Sequence, residues 1–174
     1  MIIKSEPFFY IKTFINDYLE YKNKLLELIN VASINHTLNN SRTDFNIDQD
    51  SNEYKYIFYS MIKPAMLDIK KELSFNKYKA KIITNNIWFA QYNKNNYHNW
   101  HTHSNTNFSN IFYLENEANI TTAFYDVINK KEYNIQTKEG DLLMFPGYII
   151  HKSHINKTDK RKTVIVFNSN IDEE

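Results

Sequence analysis

Residues 162–167 read Lys162-Thr163-Val164-Ile165-Val166-Phe167, a β-branched run with no polar interruption after its second residue. Such a run is the pattern of a strand covered on both faces. Working back from it, apolar stretches of five to ten residues alternate with polar turns. They predict strands near 82–92, 108–114, 121–127, 132–137, 141–145, 148–155 and 162–169. Further upstream the period changes. From Phe14 to Ile29, apolar residues fall at Phe14, Ile15, Tyr18, Leu19, Leu25, Leu26, Leu28 and Ile29, a stripe of helical spacing. A second helical stretch runs from about Glu53 to Leu73, where Pro64 is expected to kink the helix or open a new one. Residues 35–52 are polar turn formers and read as a loop. Helices followed by short strands predict an α+β fold, sheets in a sandwich or barrel braced by helices. The expectation is one domain over 1–174, with 1–80 mainly helical support and 81–170 the β core.

Composition narrows the function. The chain has 174 residues, 21 Lys+Arg against 20 Asp+Glu, and a formal net charge of +1, so nothing marks a nucleic-acid footprint or an anionic membrane surface. The absence of cysteine excludes a disulfide framework, a thiolate zinc site, an iron–sulfur cluster and a cysteine nucleophile. No apolar run approaches the length that spans a bilayer. Met1–Pro7 is not a basic segment followed by an apolar core, so no signal peptide is read there, and a soluble cytoplasmic protein is expected. With 42% hydrophobic and 16% aromatic residues a packed core is within reach.

The histidines are placed unevenly. His98, His101 and His103 lie in one short stretch, and His151 with His154 in another. In a strand, side chains two apart share a face, so His101 and His103 point the same way, as two ligands of one metal must. A third ligand has to come from elsewhere, and His151 is the candidate. It follows the turn, apolar strand and second turn of Glu139–Gly147. Imidazole ligands suit iron, copper, nickel and zinc, and three protein ligands leave positions open for chemistry. The bland readings are a pair of surface histidines at a strand edge, a loop residue at His36, and a solvated turn for the basic stretch Lys157–Lys162. Arg161 stands apart within that stretch. It is one of two arginines against 19 lysines, it abuts the buried strand, and its planar fork suits a buried carboxylate.

Three blocks in order, Ile87-Trp88-Phe89-Ala90-Gln91-Tyr92, His98-Asn99-Trp100-His101-Thr102-His103-Ser104 and Phe108-Ser109-Asn110-Ile111-Phe112-Tyr113-Leu114, carry a resemblance. So does the later series Glu139-Gly140-Asp141, Phe145-Pro146-Gly147, His151, Asn156, Arg161-Lys162-Thr163 and Phe167-Asn168. Over roughly residues 82–170 the chain resembles the non-haem iron, 2-oxoglutarate-dependent oxygenases, and more narrowly the small oxygenase-like proteins of bacteriophage genomes. The resemblance implies a double-stranded β-helix, a jelly-roll or cupin-like core with the N-terminal helices packed on one sheet. It also implies Fe(II), 2-oxoglutarate as cosubstrate and O2. Metal ligands would be His101, His103 and His151. Arg161 would grip the distal carboxylate of 2-oxoglutarate, Tyr113 would share it, and Tyr92 would reach the oxoacid end. As usual in this family, decarboxylation of 2-oxoglutarate to succinate and CO2 would be coupled to hydroxylation of a C–H bond. The substrate would be a peptidyl side chain, an amino acid, a nucleobase or a small metabolite. A phage-encoded member would work in the host cytoplasm.

One departure from the family pattern matters. His103 stands where the carboxylate of the usual two-histidine, one-carboxylate set belongs, which leaves the site one negative charge short. His98, three residues before His101, is a competing ligand, although strand alternation puts it on the opposite face. Substrate selection is expected in the polar loops at 35–52, 93–100 and 115–120. Two other classes stay open at this point: a three-histidine cupin-type metalloprotein acting without 2-oxoglutarate, and a non-catalytic β-sandwich binding module.

Overall fold

The β-branched run extends further than its apolar residues indicate: Lys162–Glu173 form a single twelve-residue strand, β11. The computed structural model describes residues 1–4, 7–34, 41–47, 52–73 and 80–173. β11 lies inside a seven-stranded sheet of order β1 (Ile2–Lys4), β2 (Tyr10–Phe14), β9 (Asp141–Pro146), β6 (Phe108–Asn116), β11, β4 (Ala80–Tyr92) and β3 (Arg42–Thr43). A four-stranded sheet of order β5 (His98–His101), β10 (His151–Ser153), β7 (Thr122–Asp126) and β8 (Lys131–Ile135) faces it. Every pairing is antiparallel.

Two apolar cores result. Between the sheets lie Tyr92, Ile111, Tyr113, Phe124, Leu143, Phe145, Val164 and Val166. The other face of the large sheet presents Phe89, Phe112, Leu114, Ile165 and Phe167 to helices α1 (Tyr18–Val31) and α2 (Glu53–Glu72). In α2 the buried residues Tyr54, Phe58, Met61, Ile62, Met66 and Ile69 recur at helical spacing, so one face meets the sheet. Phe58 sits 5.6 Å from the rings of both Phe112 and Phe167. Full burial of each such side chain contributes about 1.5–3 kcal/mol. The large sheet is therefore covered on both sides, which explains the apolar runs Ile111–Leu114 in β6, Leu142–Phe145 in β9 and Val164–Phe167 in β11. The α+β class and the two-sheet core agree with the sequence reading.

Several boundaries move. The first 80 residues are not simply helical, because β1, β2 and β3 all join the large sheet. Residues 10–14 pair with β9, from Ile11 opposite Met144 to Phe14 opposite Asp141, and α1 starts only at Tyr18. Phe14 and Tyr18 still touch edge to face at 5.7 Å, so the i,i+4 contact survives without a helix between them. Pro64 neither splits nor ends α2. Ser60, whose carbonyl loses its helical partner to the proline, is exposed and open to water. β5 has no counterpart among the predicted strands, and the strand expected at 148–155 shortens to β10. Of the loop 35–52, residues 42–43 form β3, while 35–40 (His36 included) and 48–51 lie outside the described residues.

Gly140 ties helix to sheet. Its φ of +82° suits glycine, and its carbonyl accepts from Ile15 N–H while its own N–H donates to Tyr113 O. A Cβ here would lie 2.5 Å from the Phe14 ring and 2.8 Å from that of Tyr18. Gly140→Ala is expected to cost about 2 kcal/mol, lowering Tm by roughly 4–8 °C in thermal unfolding.

Candidate metal centre and its cleft

His101 closes β5, His103 follows two residues beyond the strand, and His151 opens β10, where it sits directly opposite His101 in the register. Their ligand nitrogens all lie within 4.8 Å of one another, the spacing of a group that could hold one metal ion. Each ring is fixed from behind. Nδ1 of His101 meets Asn99 O at 2.7 Å, Nδ1 of His151 meets Ile149 O at 2.9 Å, and Nδ1 of His103 meets Asn168 Oδ1 at 2.7 Å. A carbonyl oxygen only accepts, so Nδ1 carries the proton in each ring and Nε2 keeps its lone pair. Gly147 makes room for this arrangement. His103 N–H donates to Gly147 O, and a Cβ at 147 would come within 3.0 Å of His103 O.

Burial keeps these imidazoles neutral. It lowers His101 to about 4, an effect the Asn99 carbonyl opposes, and it pushes His103 down and His151 well below the usual histidine range. Neutral rings with free Nε2 lone pairs are the form that binds a cation. No carboxylate belongs to the group, among the described residues. His98 does not converge with the three, yet it is not on the opposite face either. Three residues of β10, His151 to Ser153, stand opposite four of β5, His101 to His98. That bulge returns His98 to the same side, where it stacks on His101 at 3.9 Å and 10°.

The triad opens into a cleft of about 1540 Å³. Trp88, stacked obliquely on His103 at 5.7 Å, forms one wall, and Phe145, edge-on to His151 at 4.7 Å, backs the other. Arg161 does not join it. Its Nε donates to Glu115 Oε2 at 2.7 Å on the helix side of the sheet, and Asn30 of α1 accepts a further bond. Alternation along β11 explains this: Thr163, Ile165 and Phe167 share that outer side, while Lys162, Val164, Val166 and Asn168 line the cleft. Lys162, read from sequence as part of a solvated turn, is 1% exposed. Its Nζ donates to Ser153 Oγ at 2.9 Å and sits 5.2 and 5.3 Å from the rings of Tyr92 and Tyr113. Tyr92 lines the cleft, whereas Tyr113 is fully buried behind it with its hydroxyl on Thr122. No carboxylate reaches Lys162, among the described residues, and burial lowers its pKa to about 7. Lys162, Ser153 and Asn168 are the site residues that sequence reasoning missed.

Solved structures share this architecture. The Pseudomonas putida prolyl-4-hydroxylase superposes with a TM-score of 0.64 at 11% identity, covering 94% of this chain and 93% of its own. The viral collagen prolyl hydroxylase of Paramecium bursaria Chlorella virus-1, solved with 2-oxoglutarate, gives 0.60 at 16%, over 92% and 94%. The non-haem α-ketoglutarate-dependent carbocyclase SnoK of nogalamycin biosynthesis gives 0.68 at 8%, over 94% and 80%. The fold is the double-stranded β-helix of the 2-oxoglutarate-dependent iron oxygenases. No family model matches the sequence, and no curated protein does. No helix among the described residues is long and apolar enough to cross a membrane.

Within this β-helix the buried cation has a measurable cost. Below about pH 7 Lys162 is protonated both folded and unfolded, and the folded state bears the whole desolvation penalty. Between about 7 and its ordinary value near 10.4, the folded chain sheds a proton that the unfolded chain keeps, so stability from this group rises with pH. Lys162→Met is therefore expected to be more stable than the native chain at pH 7, by roughly 1–3 kcal/mol. The gap should close towards pH 10 in thermal unfolding across that range.

Proposed function

We propose that this chain is an Fe(II)- and 2-oxoglutarate-dependent oxygenase that hydroxylates its substrate, with residues 1–174 acting as one domain. In this reading His101, His103 and His151 hold the metal, and Lys162, not Arg161, binds the distal carboxylate of 2-oxoglutarate. The observation that carries it is Lys162: a cation buried in the cleft of the histidine triad with a serine as its hydrogen-bond partner and no counterion among the described residues. Such a group is costly unless a ligand supplies the missing anion. A dicarboxylate that chelates the metal at one end and meets Lys162 at the other does so. A three-histidine metalloprotein working without 2-oxoglutarate would leave this lysine unexplained. Arg161 is already engaged with Glu115.

The donor set fits the metal. Three neutral imidazoles, each oriented by a bond from Nδ1, suit a divalent first-row ion. When bound, iron with 2-oxoglutarate supplies the oxidising chemistry, in which O2 is consumed and 2-oxoglutarate is decarboxylated to succinate. The protein's own part is positional. Lys162, with Ser153 accepting one of its protons, fixes the far end of the cosubstrate, and Tyr92 and Tyr113 stack their rings beside the ammonium. Trp88, Val164 and Val166 line the cleft with apolar surface that limits water around the reacting groups. His103 takes the place of a carboxylate, so the ion keeps a larger share of its positive charge and binds anions more strongly. The order of motifs around these residues also supports kinship with the small bacteriophage-type oxygenases.

The test is anaerobic addition of Fe(II) and then 2-oxoglutarate, watching for a visible charge-transfer band and measuring iron per chain. The native chain and Arg161→Ala are expected to give the band. Lys162→Met should keep its iron but need about 30- to several-thousand-fold more 2-oxoglutarate, the cost of removing one partner of a buried charge pair. His103→Asp should retain iron, His103→Ala should lose it, and His98→Ala should leave it unchanged. Iron binding without any response to 2-oxoglutarate would overturn the proposal in favour of a cosubstrate-independent metalloprotein.

A further inference from the structure

The cleft is larger than the triad and a small dicarboxylate require, and its outer part is built from different material. β4 contributes eight consecutive residues, Lys81 through Trp88, to the lining. A strand that lines a wall with its face shows every second residue, so an unbroken series means that β4 turns its edge to the cleft. Among the described residues that edge is open: β3 pairs only with Ala90 and Gln91, and no described strand pairs with residues 82–87 on the side away from β11. The bulge between Asn85 and Trp88, with Asn86 at φ 46°, bends the edge where it approaches the histidines.

The opposite bank is one stripe of α2. Tyr56, Tyr59, Lys63, Leu67 and Lys70 follow one another at steps of three or four, about 20 Å of helix. Tyr56, Tyr59 and Leu67 are 65%, 44% and 57% exposed, although the same helix buries a full apolar face elsewhere. The charges are one-sided. The described lining holds six lysines, of which Lys55 pairs with Asp44 and Lys152 with Glu132, and a single acid, Asp44, which is buried and bonded by Tyr54, Asn52 and the Phe89 amide. The acids of α2, Glu53, Asp68 and Glu72, are absent from it.

We propose that this groove binds an extended, acidic segment of polypeptide, which adds as a strand to the free edge of β4 and passes its target residue over Trp88 to the histidine triad. The open backbone edge distinguishes a polypeptide from other anionic polymers, because it offers main-chain donors and acceptors at the strand repeat. Lys63 and Lys70 select acidic side chains, and Tyr56, Tyr59 and Leu67 cover the apolar ones. The groove, about 20 Å long, takes six or seven extended residues. This names the substrate class of the oxygenase site and rests on that reading. Binding is measured on the metal-free 174-residue chain, so its failure leaves the iron and 2-oxoglutarate test standing.

Fluorescence anisotropy with three labelled probes decides it: a peptide alternating Glu and Val, the same peptide N-methylated at alternate amides, and an oligothymidylate of equal length. The Glu–Val peptide is expected to bind, more weakly as salt rises, and the double variant Lys63→Glu/Lys70→Glu to lose roughly tenfold or more in affinity. N-methylation removes main-chain donors without changing charge and should abolish binding. Tighter binding of the oligothymidylate would overturn the proposal and give the groove to single-stranded nucleic acid. Equal binding of the methylated peptide would overturn strand addition, and an unchanged affinity in the double variant would overturn the charge selection.

Discussion

Alternation along β11 governs this molecule. The strand is buried on both faces, so each residue must enter either the helix-packed core or the space between the sheets. Ile165 and Phe167 take the helix side, and Val164 and Val166 the inner side. The same parity sends Arg161 out to Glu115 and Lys162 inward beneath Ser153. It also turns Asn168 inward, where its side chain holds His103. Shifting this strand by one residue would exchange the two cores and dismantle the site with them.

The same feature limited what could be read from sequence. Val164-Ile165-Val166-Phe167 announces a buried strand, and because both faces are apolar it carries no mark of which residue points where. The family resemblance pointed to Arg161, and one step of parity turns Arg161 to the helix side and Lys162 to the cleft. The fold class, the two helices and most strands were legible, because apolar periodicity is a local property. β2 was not, since its pairing with β9 joins residues as far apart in the chain as Ile11 and Met144. The convergence of His101, His103 and His151 followed from spacing and order. The position of His98 did not, because the β5–β10 bulge that turns it inward leaves no local signature.

Electrostatically the inner cleft is unusual in what it lacks. Besides Tyr92 and Tyr113, its titratable groups are histidines held neutral by burial and Lys162, and no carboxylate joins them among the described residues. Two of the site's needs then converge. In the proposed function a cation held by three neutral rings and an ammonium at the far end both call for negative charge, and one elongated dianion would satisfy both. In the proposed function, the stability given up to keep Lys162 buried is recovered on binding, the usual exchange between a functional site and the fold that carries it.

Removing the distal carboxylate from the ligand, instead of the lysine from the protein, tests this account most directly. Calorimetric titration of the metal-loaded chain with 2-oxoglutarate and with 2-oxovalerate, which has the same chain length and lacks the far carboxylate, isolates that contact. The account predicts that the native chain and Arg161→Ala prefer 2-oxoglutarate by about 30-fold or more, and that Lys162→Met binds the two alike. A preference that persists in Lys162→Met and disappears in Arg161→Ala would contradict it.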